Sequence, residues 1–440
     1  MPLDPIPRTF PDQPPLYGRV LFISHTCYLD DSNGASVASR AMLEALVRRG
    51  FVVEALSSTM LELKQESEAK AWLIRRGVLN EHEACDSWTI DTGGLRSTSP
   101  SHVRMIVRNV LATMHLSPSA EHHVPGAREC EEFLNLFEAT LHRFRPNVLI
   151  NYGGDQLAHA VRSRARDRGV VVVFALHNFN YHSLTPFSTT DAVIVASQFA
   201  AEHYKRTLGL DCTVLPYMVD NHRALAKDRE PTYLTFVNPS PEKGVFPFVR
   251  VADELGRRRP DIPILVVESR GSESTLVGCG VDLRPHGNVF LMAPTHDPRD
   301  FWRVTRVCLM PSLWWENQPL VAVEAMINGI PVIGSDRGGI PETLGAAGIV
   351  LPIPERLTPR TRELPTAEEV APWVEAILRL WDDGEWYAER SRLALEESRR
   401  WAPETVEPRY VEFFRDVRPG GSPFVAGGPD LLPGSRRDGR

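Results

Sequence analysis

Short apolar runs alternate with helix-patterned segments along most of this chain, and that alternation is what most limits its fold. The run "RVLFI" (19–23) is β-branched and apolar, which predicts a buried strand. A loop rich in turn residues follows, then a predicted helix over 37–50 that ends at Gly50, then a strand over 51–56. Strand, helix and strand in this order make the unit of a parallel sheet.

The same pattern recurs in two successive series. In the first, apolar residues at helical spacing from Cys130 to Phe144 precede further predicted strands at 146–154, 170–178 and 191–197, and the stretch 212–220 ends the series. The second series has a predicted helix at 245–258 and predicted strands at 232–238, 262–268, 288–294, 306–311 and 330–336. Two such series predict an α/β protein with two doubly wound domains and a ligand cleft between them.

Four further segments complete the predicted organisation. Residues 1–17 are rich in proline and predict a flexible arm, and residues 57–127 predict helices and loops inserted between strands. An amphipathic helix is predicted over about 402–416, and the Gly/Pro-rich residues 417–440 predict a disordered tail. The domains are therefore expected at 18–217 and 218–401.

Composition excludes some classes of function. A net charge of −7 and a pI near 6.1 argue against a nucleic-acid-binding protein. The six scattered cysteines form no zinc-spaced cluster and are typical of a reducing compartment. The N-terminus lacks the regions of a signal peptide, and no apolar run is long enough for a membrane span. We expect a cytoplasmic protein, with peripheral membrane contact left open.

Arginine occupies every second position from 162 to 168. This pattern predicts a charged helix surface, with a local contact to an anion or a membrane surface as the alternative. These arginines are Arg162, Arg164, Arg166 and Arg168.

The stretch "LWWENQPLVAVEAM" (313–326) carries two carboxylates eight residues apart, Glu316 and Glu324. Asn317 or Gln318 is the predicted helix cap, and Pro319 is predicted in the first turn. The following apolar residues cover nearly every face, so the helix and Glu324 should be buried. Glu316 lies just before the helix N-terminus, where free N–H groups favour a phosphate. On spacing alone, an internal Glu–Arg pair remains the alternative.

The wider stretch "PSLWWENQPLVAVEAMINGIPVIGSDRGGIPE" resembles the donor-site signature of retaining glycosyltransferases of family 4, which have the GT-B fold. It contains E-x7-E, G-x-P-V and G-G-x-P-E in order. "VLFISHTCYLDDSNGAS", "VIVASQFAAEHY", "VLPYMVD", "FVNPSPEKG" and "NVFLMAP" are similar to other segments of that family, so the resemblance covers roughly 19–415. It implies two Rossmann-like domains facing across a cleft, with the C-terminal helix crossing back to the first domain.

The resemblance implies a role for each matching residue of the second domain, which would bind the nucleotide sugar. Glu324 would hold the ribose hydroxyls and Glu316 the hydroxyls of the donor sugar. The backbone N–H groups of Leu320 and Val321 would meet the diphosphate, and Lys243 would neutralise its charge as the bond to the sugar breaks. The donor would be of the UDP or GDP type.

The chain departs from the family at Asn238, where an arginine is usual five residues before the lysine. Arg270 or Arg337 could replace that arginine from a nearby strand end. No D-x-D motif occurs. That motif holds a divalent metal in another glycosyltransferase fold, so metal-independent transfer with no cofactor is expected.

The first domain is expected to supply the acceptor side. Gly34 would let the backbone approach the donor, although a simple turn glycine is the alternative. His177, at a predicted strand end, resembles the family's histidine near the donor sugar. Candidate acceptor contacts are His25, Asp30, Asp31, Asn178, Tyr181 and His182.

The expected function is that of a retaining, metal-independent glycosyltransferase of the hexosyl type. It would move a sugar from a nucleotide-diphosphate sugar to a hydroxyl of a glycan, a lipid-linked acceptor or a small molecule. Two alternatives stay open: a GT-B epimerase or phosphorylase, and a non-catalytic sugar-nucleotide-binding protein. The sequence identifies neither the base, the sugar, the acceptor, the linkage nor the oligomeric state.

Overall fold

The computed structural model describes residues 16–62, 102–219, 221–295 and 297–424, with only the backbone for Asn221 and His222. Within these ranges the chain forms two compact units. The first comprises the residues up to Val195, Ala201–Leu215 and the residues from Glu407 onward; the second comprises Ala196–Ala200 and Pro216–Val406. Residues 1–15 of the predicted arm lie outside the described part.

The first unit is built on a sheet in which the described strands are parallel, except for one antiparallel hairpin. These strands are β1 (Arg19–Ile23), β2 (Val52–Ser58), β3 (His102–Val107), β4 (Val110–His115), β5 (Val148–Asn151), β6 (Val171–Ala175), β7 (Ala192–Val195) and β8 (Cys212–Val214). Their order is β3-β4-β2-β1-β5-β6-β7-β8, with β3 and β4 antiparallel. The chain leaves β1 toward β2 on one side and later returns to β5 on the other, so β1 marks a topological switch point.

Helices pack against this sheet, and α2 does so largely through aromatic residues. The described helices begin with α1 (Gly34–Arg48), α2 (Ala127–Phe144), α3 (Gln156–Arg166) and α4 (Gln198–Leu208). Phe133, Phe137 and Leu141 recur along α2 at helical spacing and form one core with Leu21 and Leu149 of the sheet. The predicted strands and helices of this part are confirmed, apart from residues 57–127.

The prediction of helices and loops over 57–127 is wrong for residues 57–58 and 102–115, whereas residues 116–126 form a loop. Ser57 and Ser58 end β2, and residues 102–115 form the β3–β4 hairpin. Both turn residues have positive φ, 47° at Arg108 and 66° at Asn109, as a two-residue turn of type I′ requires. Neither is glycine, so the usual sequence signal for such a turn is weak. Residues 63–101 lie outside the described part.

The arginine run is not wholly a surface feature. The guanidinium of Arg162 is fully buried and donates to Asn151 Oδ1 at 2.5 Å and to the Gly153 carbonyl at 2.8 Å. Arg164 and Arg168 both pair with Glu138. The surface prediction is therefore wrong for Arg162, because the end of β5 and the loop before α3 supply acceptors that satisfy a buried guanidinium.

The second unit has a sheet whose described strands are all parallel. They are β9 (Tyr233–Val237), β10 (Ile264–Val267), β11 (Val289–Met292), β12 (Thr305–Met310), β13 (Val332–Ser335) and β14 (Ile349–Leu351). Their order is β11-β10-β9-β12-β13-β14. β9 lies between β10 and β12, so the loops after β9 and β12 leave neighbouring strands at the switch point of this sheet.

The helices of the second unit cover both faces of its sheet. They are α5 (Asn221–Ala224), α6 (Val245–Arg258), α7 (Glu273–Val277), α8 (Arg299–Trp302), α9 (Leu320–Ile327), α10 (Ile340–Leu344), α11 (Ala367–Asp382) and α12 (Gly384–Ser398). Phe248 of α6 stacks on Phe236 of β9 with ring centroids 4.3 Å apart. The predicted α6 and the five predicted strands are confirmed, and the described helices include none that is long and apolar enough to cross a bilayer.

Helix α13 (Pro403–Asp416) lies close to the range predicted for the C-terminal helix. Glu407 of α13 accepts hydrogen bonds from Arg48 and Arg49 at 2.6 and 2.7 Å. Residues 417–424, predicted as part of a disordered tail, instead pair with the first unit: Asp211 N donates to the Pro423 carbonyl at 2.6 Å. Residues 425–440 lie outside the described part.

Candidate functional site

Two loops of the second unit meet at the carboxyl ends of β9 and β12. Gly244 ends the first loop with a φ of 84°, and a Cβ atom there would lie 1.8 Å from the Pro311 carbonyl oxygen. The Leu313 and Trp314 N–H groups both donate to the Glu242 carbonyl at 3.0 Å. Only glycine permits this approach, and the approach places Lys243 beside the loop that carries Glu316.

Lys243 and Glu316 form an ion pair. The Lys243 ammonium lies 2.5 Å from Glu316 Oε1, and Ser312 Oγ donates to the same oxygen at 3.2 Å. Glu316 is 9% exposed, whereas about a third of the Lys243 side chain faces solvent. The pair therefore presents one accessible cation beside a carboxylate that is held in place.

Helix α9 begins without a side-chain cap. Pro319 is the cap residue and not part of the first turn, which corrects the predicted helix start. Asn317 Oδ1 instead accepts from Ser197 Oγ at 2.9 Å, and Gln318 exchanges two hydrogen bonds with the backbone of Tyr217. Tertiary partners thus take both amides away from the helix end.

The open helix start leaves backbone donors for an anion. Within the described part of the chain, the N–H groups of Leu320 and Val321 make no hydrogen bond. The positive end of a helix with free N–H groups attracts a phosphate. These two residues are the ones that the sequence predicts at a diphosphate.

Glu324 lies on the same helix in a less polar environment. Its Oε2 accepts a hydrogen bond from Trp302 Nε1 at 3.2 Å. Part of the residue reaches solvent, yet burial raises the pKa of its carboxyl to about 7 against the opposing effects of Trp302 and Arg223. The prediction that Glu324 is buried is thus only partly met. The residue is half-buried, whereas its neighbours Val323 and Ala325 are fully buried.

The G-G-x-P-E segment supports the Glu316 loop from behind. Gly338 has a φ of 60°, and a Cβ atom there would lie 2.6 Å from Glu316 N. Gly339 N donates to the Glu316 carbonyl at 2.7 Å. Glu342 accepts from the N–H groups of Gln198 and Phe199 at 2.8 and 2.9 Å. The glycines are therefore required by close backbone contact with Glu316, and Glu342 caps the start of α4.

Asn238 occupies the position of the missing arginine for a local reason. Its φ is 63°, in the left-handed region, and its Oδ1 accepts from Gly271 N at 3.1 Å. Asparagine tolerates this conformation better than arginine does. The bond fixes the loop after β10 against the loop after β9, and the exposed Arg270 immediately precedes the bonded glycine.

Arg337, the other predicted replacement, is held elsewhere. Its Nη2 donates to the carbonyls of Ile353 and Pro354 at 3.0 and 3.2 Å. These bonds direct the guanidinium toward the end of β14. Of the two arginines, Arg270 is therefore the one joined to the Asn238 turn.

The contribution of Asn238 to stability can be measured with two substitutions. Asn238→Ala should lower the free energy of unfolding by about 1 kcal/mol more than Asn238→Gly, because alanine is strained at positive φ. Both variants lose the bond to Gly271. Urea denaturation of the two variants and the parent protein checks this, and equal losses would mean that the backbone strain is relieved in another way.

The residues predicted in the first unit have varied environments. Gly34 is the first residue of α1, and a Cβ atom there would meet nothing within 4 Å, so the fold itself does not require glycine. His177 packs the edge of its ring on Tyr152, with centroids 5.2 Å apart. Burial lowers the pKa of His177 to about 4, so it is neutral at pH 7.

Several candidate acceptor contacts are engaged within the first unit. Asp31 forms an ion pair with the buried Arg40. Asn178 Oδ1 accepts from Asn180 N at 3.0 Å, and Tyr181 packs against Phe174, with its pKa raised to about 12 by burial. These contacts shape the loops after β1 and β6. His25 differs, because its Nε2 lies 3.5 Å from Glu129 Oε1 without a hydrogen bond.

Three residues that contact the candidate site residues are not predicted from the sequence. Ser312 and Trp302 contact Glu316 and Glu324, and Glu129 contacts His25. Glu129 carries no motif and follows a long segment of irregular composition. Ser312 stands four residues before Glu316, so a hydroxyl at the end of a predicted strand is the one signal that was available.

One sequence family and several solved structures are similar to this chain. Residues 231–383, about a third of the chain, match the sequence family described as "Glycosyl transferases group 1". No curated protein matches the chain. Among solved structures, sucrose-phosphate synthase from Thermosynechococcus elongatus is similar, with a TM-score of 0.64 at 16% identity over 90% of this chain and 98% of that one.

Two further solved structures contain nucleotide and sugar. HepE from Anabaena, in complex with UDP and glucose, has a TM-score of 0.61 at 15% identity over 90% of this chain and 98% of that one. The pneumococcal O-GlcNAc transferase GtfA, in complex with UDP and GlcNAc, has a TM-score of 0.63 at 12% identity, covering 91% and 99%. At this identity the likeness establishes the fold, which is the GT-B fold with two Rossmann-like domains.

Proposed function

We propose that this protein is a glycosyltransferase that moves a sugar, of the hexosyl type, from a nucleoside-diphosphate sugar to an acceptor hydroxyl. The observation that carries the proposal is the Lys243–Glu316 pair at the uncapped N-terminus of α9, with Glu324 on the same helix. These groups lie within the range that matches "Glycosyl transferases group 1". A helix start and a lysine together provide positive charge for a diphosphate.

The donor would lie along α9. Its diphosphate would accept hydrogen bonds from the N–H groups of Leu320 and Val321, with Lys243 beside it. Glu324 would accept from the ribose hydroxyls, and Glu316 would accept from hydroxyls of the sugar. The donor is proposed to be of the UDP or GDP type, and the UDP named in the HepE and GtfA complexes supports the first of these.

The transfer is proposed to retain the configuration at the anomeric carbon without a metal ion or another cofactor. The bond from that carbon to the diphosphate breaks, and the acceptor oxygen bonds to the same face of the sugar. The acceptor proton passes to the leaving phosphate, so no enzyme nucleophile is required. Lys243 and the start of α9 would stabilise the charge that develops on the diphosphate. The neutral imidazole of His177 would lie beside the donor sugar.

The remaining assignments are proposals that rest on the sequence. The first unit would bind the acceptor, which is a glycan, a lipid-linked molecule or a small molecule, and the second unit would bind the donor. We propose a cytoplasmic location, with peripheral membrane contact for a lipid-linked acceptor. A nucleic-acid partner is not part of the proposal, given the net charge of −7.

A thermal-shift screen with UDP, GDP and ADP tests the donor assignment. One nucleotide should raise Tm by several degrees, because a ligand at 100 times its Kd stabilises the folded state by about 2.7 kcal/mol. The same nucleotide should be released from its sugar derivative during transfer. If none of the three changes Tm and no nucleotide sugar is consumed, the proposed function is wrong. An inverted product would overturn only the retaining mechanism.

A further inference from the structure

Two histidines and one carboxylate lie close together in the first unit. His25 follows β1 by two residues, and Glu129 lies in the first turn of α2. His123 precedes that helix. The carboxyl ends of parallel strands are where ligands bind in open sheets. We call His25, His123 and Glu129 the Glu129 cluster.

One oxygen of Glu129 is held by His123. The distance from His123 Nε2 to Glu129 Oε2 is 2.9 Å, and His123 Nδ1 lies 2.8 Å from the Glu121 carbonyl oxygen. Both nitrogens face acceptors, so both donate only when the ring is protonated. The pKa of His123 is raised, chiefly by the Glu121 carbonyl, and that of Glu129 is lowered by His123 and Ser117 against the effect of burial. Glu129 is therefore an ionised carboxylate.

The other oxygen of Glu129 accepts no hydrogen bond from the described residues. Within the described part of the chain neither Glu129 Oε1 nor His25 Nε2 makes a hydrogen bond, although both atoms are buried and lie 3.5 Å apart. The Ser117 hydroxyl lies close enough to Glu129 to lower its pKa, but it does not have the geometry of a hydrogen bond. A buried polar group without a partner costs about 1–3 kcal/mol. An external group that binds both atoms would remove that cost.

The position of His25 suits a hydroxyl group. Its ring packs edge-on against Phe133 with centroids 5.3 Å apart, and burial lowers its pKa, so the imidazole is neutral at pH 7. A hydroxyl can donate to Glu129 Oε1 and accept from His25 Nε2–H at once. The histidine side is the more open side of the cluster, because the side chains of His25 and His123 are 11% and 28% exposed against 5% for Glu129.

A metal ion does not fit this arrangement. Across the described ranges no three His, Cys, Asp or Glu side chains converge closely enough to hold one. Two further groups contact other residues: His115 Nε2 lies 3.5 Å from Glu132 without a hydrogen bond, and Asp155 caps α3 through Ala158 N. The pair of unpartnered atoms therefore indicates a small neutral polar ligand.

We propose that His25 and Glu129 bind a hydroxyl of the acceptor, a sugar or polyol, and that His123 fixes the carboxylate for that purpose. The proposal rests on the proposed function for the identity of its ligand. It assigns Glu129 and His123 a role in acceptor recognition and gives His25 a defined contact.

The test measures binding of methyl α-D-glucopyranoside to the full chain by saturation-transfer NMR, in the absence of any donor. Glu129→Gln and His25→Phe should weaken binding at least tenfold, because each removes one of the two contacts. His25→Phe keeps an aromatic ring against Phe133 and so protects the fold. Glu131→Gln is the matched control, since Glu131 is exposed on the same turn of α2 and should bind as the parent does.

Binding of UDP by thermal shift separates this proposal from the proposed function. If UDP binds all variants equally and only Glu129→Gln and His25→Phe lose the glucoside, the hydroxyl site is supported. If the parent protein does not bind the glucoside, or if Glu129→Gln binds as Glu131→Gln does, the site holds an ordered water or fastens α2, and the proposal is wrong. Failure of the parent to bind UDP would count only against a UDP-type donor, and the comparison of variants would then use the nucleotide found in the thermal-shift screen.

Discussion

Replacing Lys243 with methionine is expected to lower kcat for sugar transfer by about 100- to 1,000-fold, the usual effect of removing one group that stabilises developing charge. The Lys243 ammonium is the cation that pairs with Glu316, and a third of its side chain is open to solvent, so it can turn to a diphosphate. The donor KM should change less than kcat, because the charge grows as the bond to the sugar breaks. Steady-state kinetics with the donor found by the thermal-shift screen provides the measurement.

Two further variants separate catalysis from folding. Lys243→Met leaves Glu316 buried without its cation, so the double change Lys243→Met with Glu316→Gln should recover Tm but not kcat. Lys227→Met removes an exposed lysine of the same unit and should leave kcat unchanged. Near-normal kcat in Lys243→Met would show that the ammonium only holds the Glu316 loop.

Replacing Glu324 with glutamine is expected to raise the donor KM by about 10- to 100-fold, since hydrogen bonds to a charged group contribute about 1.5–3 kcal/mol. The parent enzyme should also depend on pH through this group. Burial raises the pKa of Glu324 to about 7, so the ionised fraction falls about tenfold for each pH unit below 7. The donor kcat/KM should fall with it, and Glu324→Gln should lack this dependence.

The same shift predicts how stability varies with pH. The folded pKa of Glu324 lies above its ordinary value of 4.5, so the folded protein keeps a proton that the unfolded chain has already released. Its contribution to stability is complete below pH 4.5 and is lost as pH rises toward 7. Urea denaturation across this range should show the loss in the parent and not in Glu324→Gln. Glu385→Gln, an exposed position of the second unit, is the control, and an identical slope in all three proteins would contradict the shift.

Most of the fold could be predicted because its buried strands have clear composition. Runs such as "RVLFI" and "TYLTFV" are apolar on both faces of a strand, as is typical of a parallel sheet covered by helices. The β3–β4 hairpin could not be predicted, because its turn uses Arg108 and Asn109 at positive φ in place of glycine. Residues 417–424 were likewise misjudged, since their Gly/Pro composition hid a backbone pairing with Asp211.

The candidate donor residues could be named from spacing and resemblance, but their contacts could not. Asn317 and Gln318 were expected to cap α9, yet they bond to Ser197 and Tyr217, more than a hundred positions away in the chain. Local sequence cannot distinguish an amide that caps a helix from one that a distant hydroxyl engages. The position of Asn238 has the same explanation, because its bond to Gly271 joins two strand ends that are neighbours only in the sheet.

The sequence by itself determined two α/β domains, the position of α9 and the two carboxylates on either side of its start, because these follow from local periodicity and from spacing within one helix. The tertiary structure alone decided that Lys243 meets Glu316, that Glu324 has a raised pKa and that Glu129 faces His25. Each of these depends on strands that are distant in sequence and adjacent at a switch point, or on burial, which is set by the packing of the whole unit.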